Sequence, residues 1–178
     1  METLKDGKLR IRQARITDAA QLATWWNDGA VMDHAGFPRG LGTTAGEVVA
    51  SLSEDNVATS CRLILLWGTE AIGEMCYSVK ERDTAEIGIK ICRLDLQGQG
   101  LGKRYLRLLI EALFSRGIQK ICLDTMLENR RAQHVYESLG FQKVGVRQDC
   151  WQDQLGSWRT AVDYELLPKN WQKNSSTQ

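Results

Sequence analysis

A glycine-rich stretch between an alternating strand and an amphipathic helix is the part of this chain best suited to hold a charged ligand. Its sequence is Gln97-Gly98-Gln99-Gly100-Leu101-Gly102-Lys103. Glycine lets the backbone approach a ligand closely, and the first N–H groups of the following helix carry partial positive charge. We therefore predict an anion site here, and a pyrophosphate is the anion that best suits it.

The spacing argues against two common phosphate loops. A Walker A loop requires Ser or Thr after its lysine, whereas Lys103 is followed by Arg104. A dinucleotide fingerprint would require glycine at the position of Lys103, and the chain lacks the early strand-helix-strand unit that carries such a motif. Neither ATP nor a dinucleotide is the expected ligand.

A second segment, residues 129–141, has the features of one short helix. Asn129 can cap its start, and Gly140 suits the left-handed residue that ends it. One apolar stripe runs along it, made of Ala132, Val135, Tyr136 and Leu139. Tyr136 on this stripe either packs in the core or directs its hydroxyl group at a ligand.

The two segments together resemble the GNAT superfamily of N-acetyltransferases. Gln97, Gly100 and Gly102 match its acyl-CoA loop, Gln/Arg-x-x-Gly-x-Gly/Ala, and the second segment is similar to its Asn-x-x-Ala-x-x-x-Tyr-Glu-x-x-Gly-Phe pattern. The resemblance covers roughly residues 8–167, with the specific motifs in the second half. It implies a mixed α/β GNAT fold, with a mostly antiparallel twisted sheet of about seven strands, roughly four helices and a splay between the fourth and fifth strands.

The resemblance also implies an activity: transfer of an acetyl group from acetyl-CoA to a primary amine, by direct attack in a ternary complex and without a metal. The acceptor is a small amine or a protein N-terminus, and a homodimer is possible. The alternative is an acyl-CoA-binding sensor of the same fold that has lost transfer. The residues that the resemblance assigns to acyl-CoA are Ile91, Cys92, Gln97, Gly98, Gln99, Gly100, Leu101, Gly102, Lys103 and Asn129.

Two side chains are the expected catalysts. Tyr136 matches the tyrosine that protonates the departing thiolate in the family, and Glu86 resembles a strand glutamate that deprotonates the amine. A solvated strand carboxylate is an equal alternative for Glu86. His34 is the second candidate base because histidine is the residue type that can exchange a proton near neutral pH. His134 is a poorer candidate because it lies on another helix face than Tyr136. Arg130 and Arg131 can reach CoA phosphates or remain solvated.

Acidic and aromatic residues cluster in the two regions that border the acceptor cleft in the family. Such a mixture suits a cationic amine through carboxylate pairing and cation–π contact. The alternative is that the tryptophans are core or dimer-contact residues. The residues expected to bind the acceptor are Trp26, Asp33, His34, Asp149 and Trp151, with Trp25, Asp28, Asp153 and Trp158 nearby.

The elements that must position these groups follow from periodicity. Alternating apolar residues predict seven strands, among them Lys120 to Met126 and the strand of Ile87, Ile89 and Ile91 that precedes the loop. Helices are expected after Thr17, from the capping box Thr44-Ala45-Gly46-Glu47, after the glycine-rich loop, and over the second segment. Between the first two helices, residues 28–42 are rich in glycine and predict an irregular, mobile cover.

Composition agrees with one compact enzyme domain over residues 1–168, followed by a polar tail over residues 169–178. The chain is 43% apolar, and a formal net charge of +1 gives no case for nucleic acid. No signal core or run of about 18 apolar residues is present, so we expect a cytoplasmic protein without a membrane partner. The five cysteines have no C-x-x-C spacing and are expected to be reduced packing residues.

Overall fold

A computed structural model describes residues 2–81 and 83–171. They form one eight-stranded sheet in the order β1-β2-β3-β4-β5-β6-β8-β7, in which only the β5–β6 pair is parallel. This confirms the mixed α/β class. The strands are β1 (Leu4–Asp6), β2 (Leu9–Gln13), β3 (Ser60–Trp67), β4 (Glu70–Glu81), β5 (Thr84–Ile91), β6 (Lys120–Met126), β7 (Gln142–Gln152) and β8 (Trp158–Leu166).

Helices cover both faces of the sheet. Each face of the sheet carries apolar side chains, because side chains alternate along β3: Leu63 and Leu65 face one layer, while Ile64 and Leu66 face the other. The first layer packs against α4 (Leu101–Ser115) and α5 (Arg130–Ser138), and the second against α1 (Ala19–Trp26), α2 (Gly29–Met32) and α3 (Ala45–Ser53).

Local capping explains most of these helix starts. The predicted capping box is present at α3, where Thr44 and Glu47 satisfy each other's backbone N–H groups. The Asn129 side chain accepts from the N–H of Ala132 at 3.2 Å and begins α5. Thr17 is not a cap, contrary to expectation: a 3-10 turn, Ile16–Asp18, precedes α1, and the Asp18 carboxylate binds the N–H of Arg15 at 2.7 Å.

The structure has one strand and one helix more than the sequence predicts. A short strand β1 pairs with β2, and its few residues carry little periodicity for a sequence pattern to detect. The single turn α2 lies within the expected irregular segment. Because β1 adds a strand at the edge, the predicted opening after the fourth strand lies here between β5 and β6.

The splay between β5 and β6 is visible in their register. The parallel pairing runs only from Thr84↔Lys120 to Glu86↔Cys122, and the remaining residues of β5 have no strand neighbour on that side among the described residues. Backbone groups of β5 beyond Glu86 are therefore free to bind something other than β6.

The described end of the chain packs against the first layer. Trp171 lies edge-on to Phe114, with ring centroids 6.4 Å apart, after a 3-10 turn over Pro168–Asn170. Residues 172–178 of the expected polar tail lie outside the described residues. Among the cysteines, Cys61 and Cys92 are buried packing residues, whereas Cys150 is exposed.

Candidate active site

A cleft of about 750 Å³ passes through the splay and reaches both layers of the fold. On the α4–α5 side, it is lined by the glycine-rich loop and Tyr136. On the α1–α3 side, it is lined by polar residues of β3, β4 and β5, by His34, and by Trp151. One cleft therefore offers two compartments that meet at the open edge of β5.

The glycine-rich loop has the backbone that its sequence predicts. Gly98 and Gly100 both have φ of +76°, a conformation that favours glycine, and Gly100 directly precedes the first residue of α4. No side chain caps α4, so its first N–H groups remain available to a ligand. The loop residues that line the cleft are Gln97, Gly98, Gly100, Leu101, Gly102 and Lys103.

Gln97 braces the loop. Its Nε2 donates to the carbonyl of Ile91 at 2.8 Å, and its Oε1 accepts from Arg131 at 2.8 Å. Arg131 and Asn129, both at the start of α5, line the cleft as well. Gln99 does not line the cleft: its Nε2 binds the carbonyl of Asp95 at 3.0 Å, which makes it part of the loop's own scaffold.

Ile91 and Cys92, the two residues whose backbone N–H groups were expected to bind the thioester, point these groups in opposite directions. The N–H of Cys92 donates to the carbonyl of Ile72 at 2.9 Å, so it is used inside the sheet and Cys92 does not line the cleft. The backbone groups of Ile91 point away from β4, because peptide groups alternate along an antiparallel strand. In agreement, the carbonyl of Ile91 accepts a hydrogen bond from the side chain of Gln97. By the same alternation, the N–H groups of Ile89 and Ile91 both face the splay.

Tyr136 lies on the cleft wall with its ring held in the core. The rings of Phe141 and Tyr164 lie 5.9 and 5.8 Å from it, centroid to centroid. No hydrogen bond joins its hydroxyl to any residue within 2–81 or 83–171. Burial raises the pKa of Tyr136 to about 12, so the hydroxyl keeps its proton at neutral pH and can donate it.

The candidate bases occupy the other compartment. Glu86 lines the cleft, is half exposed, and pairs with Lys80 at 3.3 Å. His34 also lines the cleft, from the 3-10 turn that follows α2. His134 is exposed and does not line the cleft.

Glu74, a residue that no sequence motif singled out, lies beneath the polar compartment. Its carboxylate is 2% exposed and accepts from the indole N–H of Trp26 at 2.8 Å, from Arg62 at 2.6 Å and from Lys90 at 3.3 Å. Trp26 is therefore a buried support and not part of the cleft wall. The one available signal was a glutamate in the middle of an apolar strand, which requires a partner.

The expected anionic acceptor site is not assembled as predicted. Asp33 and Asp149 do not line the cleft, and Asp149 takes a left-handed conformation with φ of 43° in a bulge of β7. Asp153 is buried and binds Arg159 at 2.7 Å and the N–H groups of Leu155 and Ser157. A β-turn carboxylate and two exposed aspartates cannot be distinguished from ligand-binding aspartates by residue type alone.

The cover over the polar compartment is held in place. Gln154, in the turn between β7 and β8, donates to the carbonyls of Gly36 and Gly40 and accepts from the N–H of Arg39, all within 2.9 Å. Trp151 packs so closely on Gly36 that a Cβ there would lie 2.2 Å from its ring. The cover, residues 28–42, is thus attached to the β7–β8 hairpin, and its mobility stays a prediction.

Within the described residues, no group of three or more His, Cys, Asp or Glu side chains could hold a metal ion. No helix in residues 2–81 or 83–171 is long and apolar enough to cross a membrane.

Known proteins with similar sequences match a part of this chain. A ribosomal protein bS18-alanine N-acetyltransferase of Haemophilus ducreyi is 36% identical over 66 residues, which is 37% of this chain and 46% of the relative. Its counterpart in Escherichia coli K12 is 40% identical over 55 residues, or 31% of this chain and 37% of the relative. The matches thus span less than half the length of these relatives.

Solved structures with the same fold cover nearly all of the chain. A ribosomal L7/L12 α-N-protein acetyltransferase, RimL, bound to coenzyme A superposes with a TM-score of 0.81 at 17% identity, over 93% of this chain and 98% of its own. A spermidine N-acetyltransferase of Vibrio cholerae, bound to CoA and spermine, superposes with a TM-score of 0.80 at 20% identity, over the same shares.

The family model for the acetyltransferase (GNAT) domain matches residues 8–142. This match includes the glycine-rich loop, the splayed strand β5 and the helix that carries Tyr136. A family match over most of the chain, together with the cleft that these elements build, establishes that this protein belongs to the GNAT acetyltransferases.

Proposed function

We propose that the protein transfers an acetyl group from acetyl-CoA to a primary amine by direct attack in a ternary complex. The observation that carries the proposal is the cleft through the splay, which joins a phosphate-binding loop to a polar compartment across the exposed backbone of β5. The coenzyme supplies the acetyl thioester. All other roles belong to groups of this chain.

The loop side fits an acyl-CoA. Gly98, Gly100 and the uncapped start of α4 form a cradle of backbone N–H groups for the pyrophosphate, and Lys103 adds a positive charge at the cleft wall. The splayed N–H groups of Ile89 and Ile91 are placed to bind the pantetheine and the thioester oxygen. We do not assign Cys92 this role, because its N–H binds Ile72.

Tyr136 is the proposed general acid. Attack by the amine nitrogen forms an N–C bond at the thioester carbonyl and breaks the C–S bond, which leaves a thiolate that gains from a proton. A phenol with a pKa of about 12 is protonated at neutral pH, and its hydroxyl has no other hydrogen-bond partner among the described residues. Asn129 supports this acid indirectly, since it caps the helix on which Tyr136 lies.

Glu86 is the proposed base for the proton that the amine loses. It lies on the strand that borders both compartments and lines the cleft. Its carboxylate lies 3.3 Å from the ammonium group of Lys80, and this ion pair keeps the side chain at the cleft. His34 and Trp151 bound the acceptor from the cover and the hairpin, and His34 is the alternative base.

A thiol-release assay with acetyl-CoA and a panel of amines tests the proposal. The panel spans N-terminal peptides, polyamines, aminoglycosides and free amino acids, and mass spectrometry identifies the acetylated product. We expect release above the rate of hydrolysis with at least one class of amine. Tight CoA binding without turnover on any amine would instead support an acyl-CoA sensor.

A further inference from the structure

The floor of the polar compartment contains a group of charges that do not balance. We call Trp26, Arg62, Glu74 and Lys90 the Glu74 cluster. Arg62 lies on β3, Glu74 on β4 and Lys90 on β5, and the strand register places their side chains on one face of the sheet. The cluster holds two cations and one buried carboxylate, so its formal charge is +1.

The carboxylate of Glu74 is fully engaged. One of its oxygens accepts from Trp26 and Lys90, and the other accepts from Arg62. Asp55, the other carboxylate near Arg62, accepts from the backbone N–H of Arg62 at 2.8 Å. Within the described residues, no carboxylate binds the guanidinium group of Arg62 except Glu74.

The two cations retain donors for a ligand. Arg62 has five N–H groups and Lys90 has three, and the structure gives each side chain a single hydrogen bond to the described residues. Both side chains line the cleft and are partly exposed there, at 26% and 32%. The Trp26 ring stacks on the guanidinium at 4.5 Å and fixes its position.

Other charges at the cleft are compensated or lie elsewhere. Glu86 pairs with Lys80, and Asp124 pairs with Arg147 at 2.5 Å. The remaining cations, Lys103 and Arg131, lie on the loop side. The excess positive charge of the acceptor compartment is therefore located at Arg62 and Lys90.

Building on the proposed N-acetyltransferase activity, we propose that the acceptor amine carries a carboxylate close to its reacting nitrogen, which Arg62 and Lys90 bind. The carboxylate belongs either to a free amino acid or to an acidic side chain next to a peptide N-terminus. A partly buried guanidinium and ammonium that share one carboxylate offer charge-assisted hydrogen bonds to a second one. A polycationic amine is disfavoured at the same floor, because it meets an excess of like charge.

Matched acceptor pairs test this inference. One pair is Ala-Glu-Gly-amide and Ala-Gln-Gly-amide, which share the reacting amine and differ in one charge. The other is alanine and alaninamide. Titration calorimetry in the presence of saturating CoA measures each Kd without any need for transfer. We expect the carboxylate member of at least one pair to bind about tenfold more tightly, as charge-assisted hydrogen bonds allow.

Variants of the cluster locate the effect. Lys90→Met leaves Arg62 and Glu74 as a one-to-one pair, so it neutralises the floor without leaving a buried charge unpaired, and the preference should disappear. Glu74→Gln keeps the acceptor oxygen but raises the formal charge of the floor, so the preference should grow. Lys143→Met is the matched control: it removes an exposed lysine of β7 outside the cleft and should change nothing. Circular dichroism checks that each variant is folded.

The outcomes separate this inference from the proposed activity. Equal Kd values within both pairs, no binding of any member, or a preference that survives Lys90→Met would overturn the assignment of Arg62 and Lys90. Failure to bind CoA or to release thiol would count against the proposed activity, while the same titrations without CoA would still measure the preference for a carboxylate.

Discussion

Tyr136 and Tyr164 lie ring against ring, with centroids 5.8 Å apart, yet their hydroxyls have different surroundings. The Tyr164 hydroxyl donates to Glu137 at 3.0 Å, whereas the Tyr136 hydroxyl lies at the wall of the cleft through the splay. Burial raises the pKa of each phenol to about 12. The two tyrosines therefore provide a test and a control for the role of a hydroxyl at the cleft.

We predict that Tyr136→Phe lowers kcat about 100-fold or more and leaves the Kd of acetyl-CoA nearly unchanged. The substitution keeps the ring between Phe141 and Tyr164 and removes only the proton donor. Steady-state kinetics and calorimetry measure the two quantities. Tyr164→Phe should retain kcat within a few-fold, and an unchanged kcat in Tyr136→Phe where chemistry limits turnover would make Tyr136 a packing residue.

At the scale of elements, the loop and helix α4 function as one unit. Gly100 has φ of +76°, so a side chain there strains the backbone whether or not a ligand is bound. Gly102 is the second residue of α4, and a Cβ added there would have no neighbouring atom closer than 4.0 Å. Gly102 is therefore the position at which added bulk affects a ligand and not the fold.

Gly102→Ala should weaken binding of CoA by more than about 1 kcal/mol, or roughly fivefold or more in Kd, while the melting temperature does not fall. The added methyl occupies space at the cleft wall where the backbone must approach the pyrophosphate. Gly46→Ala is the matched control, because Gly46 is the second residue of α3 and is equally open. Wild-type affinity in folded Gly102→Ala would remove the phosphate assignment from this loop.

The cover and the β7–β8 hairpin form a second unit. Gln154 donates hydrogen bonds to Gly36 and Gly40 of the cover and accepts one from Arg39, and Trp151 packs on Gly36. His34 lies within this cover and lines the cleft, so its position depends on the hairpin.

We expect Gln154→Ala to raise the KM of the acceptor several-fold and to leave the Kd of acetyl-CoA unchanged, because the cover borders only the polar compartment. Hydrogen exchange of residues 36–40 should become faster in this variant. Gln152→Ala serves as the control, since Gln152 binds Gly156 within the same hairpin and does not touch the cover. An unchanged KM would show that Trp151 and the backbone hydrogen bond from residue 154 to Gly36 are enough to hold the cover.

Across the whole molecule, Glu74 connects helix α1 of the second layer to the sheet. Its carboxylate joins Trp26 of α1 to Arg62 of β3 and Lys90 of β5. Burial acts to raise the pKa of Glu74, but Lys90, Arg62 and the hydrogen bond from Trp26 outweigh it, so the pKa lies below its ordinary value of 4.5. A carboxyl whose pKa is lower in the folded state than in the unfolded state stabilises the fold above the unfolded pKa, and this stabilisation is lost as the pH falls through the folded pKa.

We therefore predict that Glu74→Gln lowers the free energy of unfolding by about 3 kcal/mol at pH 7. The difference from the wild type should begin to shrink as the pH falls below about 4.5, where the carboxyl becomes protonated in the unfolded chain, and should disappear as the pH falls through the lower pKa of the folded state. Urea unfolding at a series of pH values measures both. Glu165→Gln, which affects a partly exposed pair with Lys120 at 3.5 Å, should show little difference at any pH.

The sequence by itself determined the loop, the helix that follows it, the seven longer strands and the α/β class. These features depend on local rules: alternation in strands such as Lys120–Met126, the capping box at Thr44, and glycine where φ is positive. It also pointed to Tyr136 and Glu86, whose place at the cleft follows from their position within those elements. Their catalytic roles stay predictions.

The tertiary structure alone decided the character of the polar compartment. Asp33, Asp149 and Asp153 suggested an anionic site by residue type, but Asp153 binds Arg159 within a turn and the other two lie off the cleft. Glu74, Arg62 and Lys90 come from three strands, and only the register of the sheet brings them together. Net charge at a site depends on which ions are paired and which are exposed, and pairing between distant segments is a property of the fold that local sequence patterns do not contain.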